Sequence, residues 1–142
     1  HAMTDTTSPY KMRPPVFTVA VEDSMDIMIV RDTTRRAASL LGFLPAHRAQ
    51  LGSAAATLAE LVLKTGETHV LSLNGVIDED QGARVGLQIS SVTPWLEGQS
   101  VNNIMVGLRS KMGELVDEIM LGAGEDDAPI IIMVMWLNDD DS

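Results

Sequence analysis

A chain of 142 residues, 45% hydrophobic and 4% aromatic, is most simply one domain with a core of its own, and that apolar share excludes a disordered chain. Ten basic residues against twenty acidic ones leave a net charge of −10, a field that repels phosphate-rich polymers, so nucleic acid is not an expected partner. There is no cysteine, which removes disulfides, thiolate zinc sites and thiol nucleophiles; with no membrane-length apolar run and no visible signal peptide, the expectation is a cytoplasmic protein that does not engage a membrane.

Residues 1–15 are polar and close on Pro14-Pro15, so they read as a flexible arm; His1 and Ala2, ahead of Met3, look like a cloning remnant. Val16 to Val21 places Phe17, Val19 and Val21 on one face and reads as a strand. Ser24 offers an oxygen to cap a helix and Asp26 suits its first turn. Ile27, Val30, Thr34, Ala37, Ala38 and Leu41 then recur at helical spacing until Gly42. Pro45 suits the start of a second helix running to Lys64, with Leu51, Ala54, Ala55, Leu58, Leu61 and Val62 as its buried stripe.

Thr68 to Asn74 and Arg84 to Val92 read as strands about an acidic hairpin loop, Gly75 to Gly82. A third helix is expected over Val101 to Leu121, stopped by Gly122 and Gly124. Pro129 to Leu137 is nearly all apolar and suits a central strand, and residues 138–142 form an acidic tail. Strand, helix, helix, strand, strand, helix, strand gives a two-layer α/β (α+β) sandwich. Its expected sheet is mixed, mainly antiparallel, with about four strands and three helices on one face. Residues 16–137 form the one domain. Most of the nine methionines are expected in the core.

The acidic runs Asp78-Glu79-Asp80, Glu125-Asp126-Asp127 and Asp139-Asp140-Asp141 lack the ligand spacing of a calcium loop. His47 and His69 have no neighbouring His or Cys, so no metal site is expected. Ser24, Ser53 and Ser91 have no visible His-Asp partners. By contrast Arg31, Arg35, Arg36 and Arg48 are four of only ten basic residues and fall in the first two helices. With Trp95 they are candidates for a surface that docks an acidic protein partner.

Three segments together resemble the Bergerat-fold ATPases, which include histidine kinases and gyrase, and among them most of all the anti-sigma-factor serine kinases. They are Met25-Asp26-Ile27 with Arg35-Arg36-Ala37-Ala38 and Leu40-Leu41-Gly42-Phe43, then Arg48 to Gly66, then Gly107-Leu108-Arg109 with Met112 and Leu115-Val116-Asp117-Glu118. The closing strand through Trp136-Leu137 also fits. The resemblance implies a nucleotide pocket at Thr57, Glu60, Leu61, Lys64, Ser91, Asn103 and Gly107. Where that family has a Glu and a magnesium-holding Asn on its second helix, this chain has Thr57 and Leu61. One position is neutral and the other has no ligand atom. Around Ser91 there is no Asp and no glycine pair, and of the glycine-rich lid Gly98 and Gly107 remain.

The expectation is therefore a degenerate kinase-like domain with no catalytic residue and no cofactor, ATP and magnesium entering only if the pocket is intact. It would act in bacterial signalling through partner switching with a protein, and a homodimer is compatible with it. The alternative is a divergent nucleotide-binding serine/threonine kinase that uses Glu60, Lys64 and Asn103.

Overall fold

The structure, a computed structural model, describes residues 8–92, 101–123 and 128–137. Trp95, Gly98, Gly124, the acidic runs at 125–127 and 139–141, and the first seven residues lie outside them. The elements are β1 (Lys11–Val21), α1 (Met25–Leu41), α2 (Pro45–Leu63), β2 (His69–Asp78), β3 (Arg84–Val92), α3 (Val101–Met112), β4 (Glu118–Ala123) and β5 (Pro129–Trp136), with one 3-10 turn at Glu79–Gln81.

The sheet has five strands in the order β1-β2-β3-β5-β4. Every neighbouring pair is antiparallel, so five wholly antiparallel strands stand where a mixed, mainly antiparallel sheet of about four was expected, a broad agreement. The α+β class with three helices stands. The fifth strand comes from the sequence read as the second half of a long third helix. Leu115, Val116, Ile119 and Met120 satisfy a helical period, but Ile119 and Leu121 also alternate with Glu118, Met120 and Gly122, as an edge strand requires. Gly113 decides between them. Its N–H closes on the Arg109 carbonyl at 2.9 Å. A Cβ at 113 would stand 2.5 Å from that oxygen, so the turn that ends α3 tolerates only glycine.

Residues 11–15, expected in the arm, belong to β1, which begins at Lys11. Its register against β2 shifts between Arg13 and Val16, where Pro14 and Pro15 have no N–H to donate to the ladder. The hairpin loop is shorter than expected as well, since β2 runs on to Asp78.

Odd positions of the strands face the helices: Val19 and Val21, Leu71 and Leu73, Leu87 and Ile89, Ile131, Met133 and Met135. They meet Val30, Ala37 and Ala38 of α1, Leu51, Ala54, Ala55, Leu58, Ala59 and Val62 of α2, and Leu108 and Met112 of α3. Leu51, Leu58, Leu71, Leu73, Leu87, Ile89, Ile131 and Met133 are fully buried, and each such side chain contributes roughly 1.5–3 kcal/mol of transfer free energy. Of the methionines, Met112, Met133 and Met135 are core residues while Met12, Met25 and Met28 are exposed. The even positions form the sheet's outer face, where Val76, Ile132, Val134 and Trp136 make a second, smaller cluster.

Helix boundaries follow local chemistry. Gly42 ends α1 in the left-handed conformation, φ 100°, and Pro45 opens α2. The start of α1 corrects one expectation: the Ser24 side chain makes no capping bond. Instead Asp26 Oδ2 accepts the N–H groups of Glu22 and Asp23 at 2.8 and 3.1 Å, and Asp23 Oδ1 accepts that of Met25 at 2.9 Å.

Candidate functional site

The residues that the resemblance assigns to a nucleotide pocket are spread over α2, β3 and α3. On α2, Thr57, Glu60, Leu61 and Lys64 share one face at helical spacing. The Thr57 hydroxyl donates to the Ser53 carbonyl at 2.9 Å, one turn back, so it is engaged by its own helix. Leu61 is partly buried and packs against the core, while Glu60 and Lys64 are exposed. The Ser91 hydroxyl, at the end of β3, donates to the Val70 carbonyl at 3.1 Å across the hairpin and is buried. Asn103 and Gly107 are exposed on α3, and a Cβ at Gly107 would meet open space.

A cleft of about 470 Å³ lies between the end of α3 and β4, lined by Arg109, Gly113, Val116, Asp117, Glu118, Ile119 and Met120. None of the seven expected pocket positions lines it. Among the described residues no three His, Asp or Glu side chains gather as a metal would require.

The arginines behave differently, because α1 and α2 pack side by side and bring three of them to one seam. The stems of Arg31 and Arg35 lie over Gly52 of α2. A Cβ at Gly52 would stand 3.0 Å from Arg35 Cγ and 3.3 Å from Arg31 Cγ. One turn along the same seam, Arg48 Nη1 donates to Ser39 Oγ at 2.9 Å. Arg36 lies on a different side, its guanidinium 5.7 Å from the Phe17 ring of β1. Among the described residues, no carboxylate forms an ion pair with any of these four arginines. The outer face of α1 also leaves large apolar side chains in solvent: Met25 is 75% exposed, Met28 66%, Ile29 50% and Leu40 64%. The solvent side of α1 thus carries apolar groups on the same helix as cations that no described carboxylate pairs.

The outer face of the sheet holds a polar cluster that sequence reasoning missed. Glu118 Oε1 accepts the Tyr10 hydroxyl at 2.5 Å and Oε2 accepts the Trp136 indole N–H at 2.7 Å. The Arg84 guanidinium lies 4.0 Å from the centre of the Trp136 ring and pairs with Asp78 at 3.1 Å and Glu118 at 3.5 Å. Tyr10 sets its ring edge-on to Trp136 at 4.8 Å, and Asp117 Oδ2 accepts the Trp136 backbone N–H at 2.7 Å. Burial, and then the bond to Glu118, push the Tyr10 hydroxyl up to about 12. A phenol held neutral and carboxylates already bonded leave no base or nucleophile poised here. The cluster instead ties the N-terminal segment across the sheet, an anchorage that Ser8 extends by donating to Gln88 Oε1 at 2.6 Å. Trp136 is buried in this cluster on the far side from the helices. Arg84, Gly86 and Gln88 occupy the alternate β3 positions turned from the helices, opposite in direction to Leu87 and Ile89.

No protein-family model matches the chain, and no curated protein matches it.

Proposed function

We propose that the chain is a regulatory protein-interaction module, built on a degenerate scaffold of the anti-sigma-kinase type and acting in bacterial signalling by binding a partner rather than by catalysis. The observation that carries this reading is the outer side of α1 and its seam with α2. Met25, Met28, Ile29 and Leu40 are exposed on the helix that carries Arg31 and Arg35 at the seam and Arg36 on the side of Phe17, cations that no described carboxylate neutralises. In a chain of net charge −10, a basic strip that no described carboxylate pairs selects a partner surface rich in negative charge. The apolar side chains supply the area that such a contact desolvates.

The α2 positions support the loss of catalysis. Leu61 has no atom to hold magnesium and is packed against the core, and the Thr57 hydroxyl is spent on its own backbone. A protein partner and no cofactor follow from this reading, as does partner switching: one strip that two proteins compete for transmits a signal by exchange.

The test compares the wild type with the double variant Arg31→Glu/Arg35→Glu, both immobilised and offered extract from the source cells. Both arginines are exposed, so the variant should keep the fold and its melting temperature. The reading expects at least one protein retained by the wild type and lost from the variant. The same set retained by both would show that α1 and its seam do not carry recognition.

A further inference from the structure

Arg31 and Arg35 are held side by side, and nothing on the described surface neutralises them. They stand one helical turn apart on α1, and both Cγ atoms come within 3.3 Å of the point that a Cβ on Gly52 would occupy. Like charges at this spacing repel, and on an isolated helix they destabilise it. A glycine in the middle of a helix also weakens it relative to alanine. Both unfavourable choices fall at the same place, and together they let two arginine stems lie flat in one groove. Arg48 lies one turn further along the seam, about 6 Å of helix rise from Gly52, where its guanidinium donates to the hydroxyl of Ser39. Planar guanidinium forks present paired N–H donors, and the oxygens of a phosphoryl group match them two at a time. A carboxylate offers two acceptor oxygens to these donors, a phosphoryl group three.

We infer that the seam of Arg31, Arg35 and Arg48 over Gly52 binds the phosphoryl group of a phosphorylated serine or threonine on a protein partner. The inference rests on the interaction-module reading and gives the chemistry of the contact. A peptide-borne group is preferred to a free ion because Met28 lies on the same line of α1, one turn before Arg31, and is 66% exposed. It offers apolar area to residues flanking the phosphate, which inorganic phosphate could not use. The phosphate supplies three strong acceptor oxygens to donors that no described carboxylate pairs.

The experiment is a calorimetric titration of the intact protein with four probes: a short leucine-flanked peptide with one central phosphoserine, the same peptide unphosphorylated, the same peptide with glutamate at that position, and inorganic phosphate. The phosphopeptide should bind at least about tenfold more tightly than each of the others. Arg31→Ala or Arg35→Ala should remove that advantage without lowering the melting temperature. Gly52→Val, whose side chain fills the groove, should remove it as well, and the arginine variants decide the matter if that protein does not fold. Equal binding of phosphorylated and unphosphorylated peptide, or a phosphopeptide affinity indifferent to both arginine substitutions, would overturn the inference. Inorganic phosphate binding as tightly as the phosphopeptide would overturn the protein-borne source. Glutamate peptide binding equally well, with the same arginine dependence, would overturn the phosphoryl assignment and leave the docking strip standing. Binding of every peptide unchanged by Arg31→Ala, Arg35→Ala and Met28→Lys would remove the strip too.

Discussion

The hydroxyl of Tyr10 donates to Oε1 of Glu118, 108 positions further along the chain, and with the edge-on contact to Trp136 it fastens the N-terminal segment over the sheet's outer face. Tyr10 is the only tyrosine in the chain, so its ionisation can be followed by absorbance without interference from another phenol. Its midpoint should lie near 12 rather than 10. The sign follows from which form the fold favours. The neutral phenol is stabilised, so its contribution is fully present below about pH 10 and is lost as pH rises through about 12. Glu118→Gln should lower the midpoint while leaving it above 10, because burial, the larger cause, remains.

Gly86 makes room for the same cluster. A Cβ there would come within 2.6 Å of the Met135 carbonyl oxygen and 2.7 Å of the Trp136 ring. Gly86→Ala should destabilise the protein by about 1–3 kcal/mol, the usual range for overpacking, and should shift the fluorescence of Trp136 as the ring is displaced. Chemical denaturation followed by tryptophan emission measures both; an unchanged midpoint would mean that the ring has space to move.

The two acidic residues at the start of α1 should matter where the nearby serine does not. Asp26→Ala removes the acceptor of two backbone N–H groups and should cost about 1 kcal/mol. Ser24→Ala removes no capping bond and should leave the thermal midpoint within error of the wild type.

Leu61→Asn restores a ligand-bearing side chain at the place where the resemblance expects one. Leu61 packs against the core, so the change should cost about 1–3 kcal/mol. It should confer no binding of Mg-ATP, because Thr57, Ser91 and the missing glycine pair are unchanged. Thermal shift with and without nucleotide reads both effects at once.

Where one period dominated, the sequence was legible: α1 from Val30, Thr34, Ala37 and Ala38, α2 from Leu51 to Val62, and β3 and β5 from alternation and an unbroken apolar run. It misled at Leu115 to Leu121, where helical and strand periods coincide and one steric fact at Gly113 settles the outcome. The arginine cluster was visible as composition. Its division, with Arg31, Arg35 and Arg48 on one seam and Arg36 turned to Phe17, depends on how α1 lies against α2. The cluster of Tyr10, Asp78, Arg84, Glu118 and Trp136 was not visible at all, because it joins four distant strands and the segment before β1, and no local spacing records such a meeting.

The central claim, that the scaffold has exchanged nucleotide chemistry for partner binding, is tested most directly by isothermal titration calorimetry of the protein with ATP, with and without magnesium. The account predicts no heat of binding and no thermal shift at millimolar nucleotide. Saturable binding at micromolar affinity, abolished by Gly107→Trp, would contradict it and assign the chain to the divergent kinases.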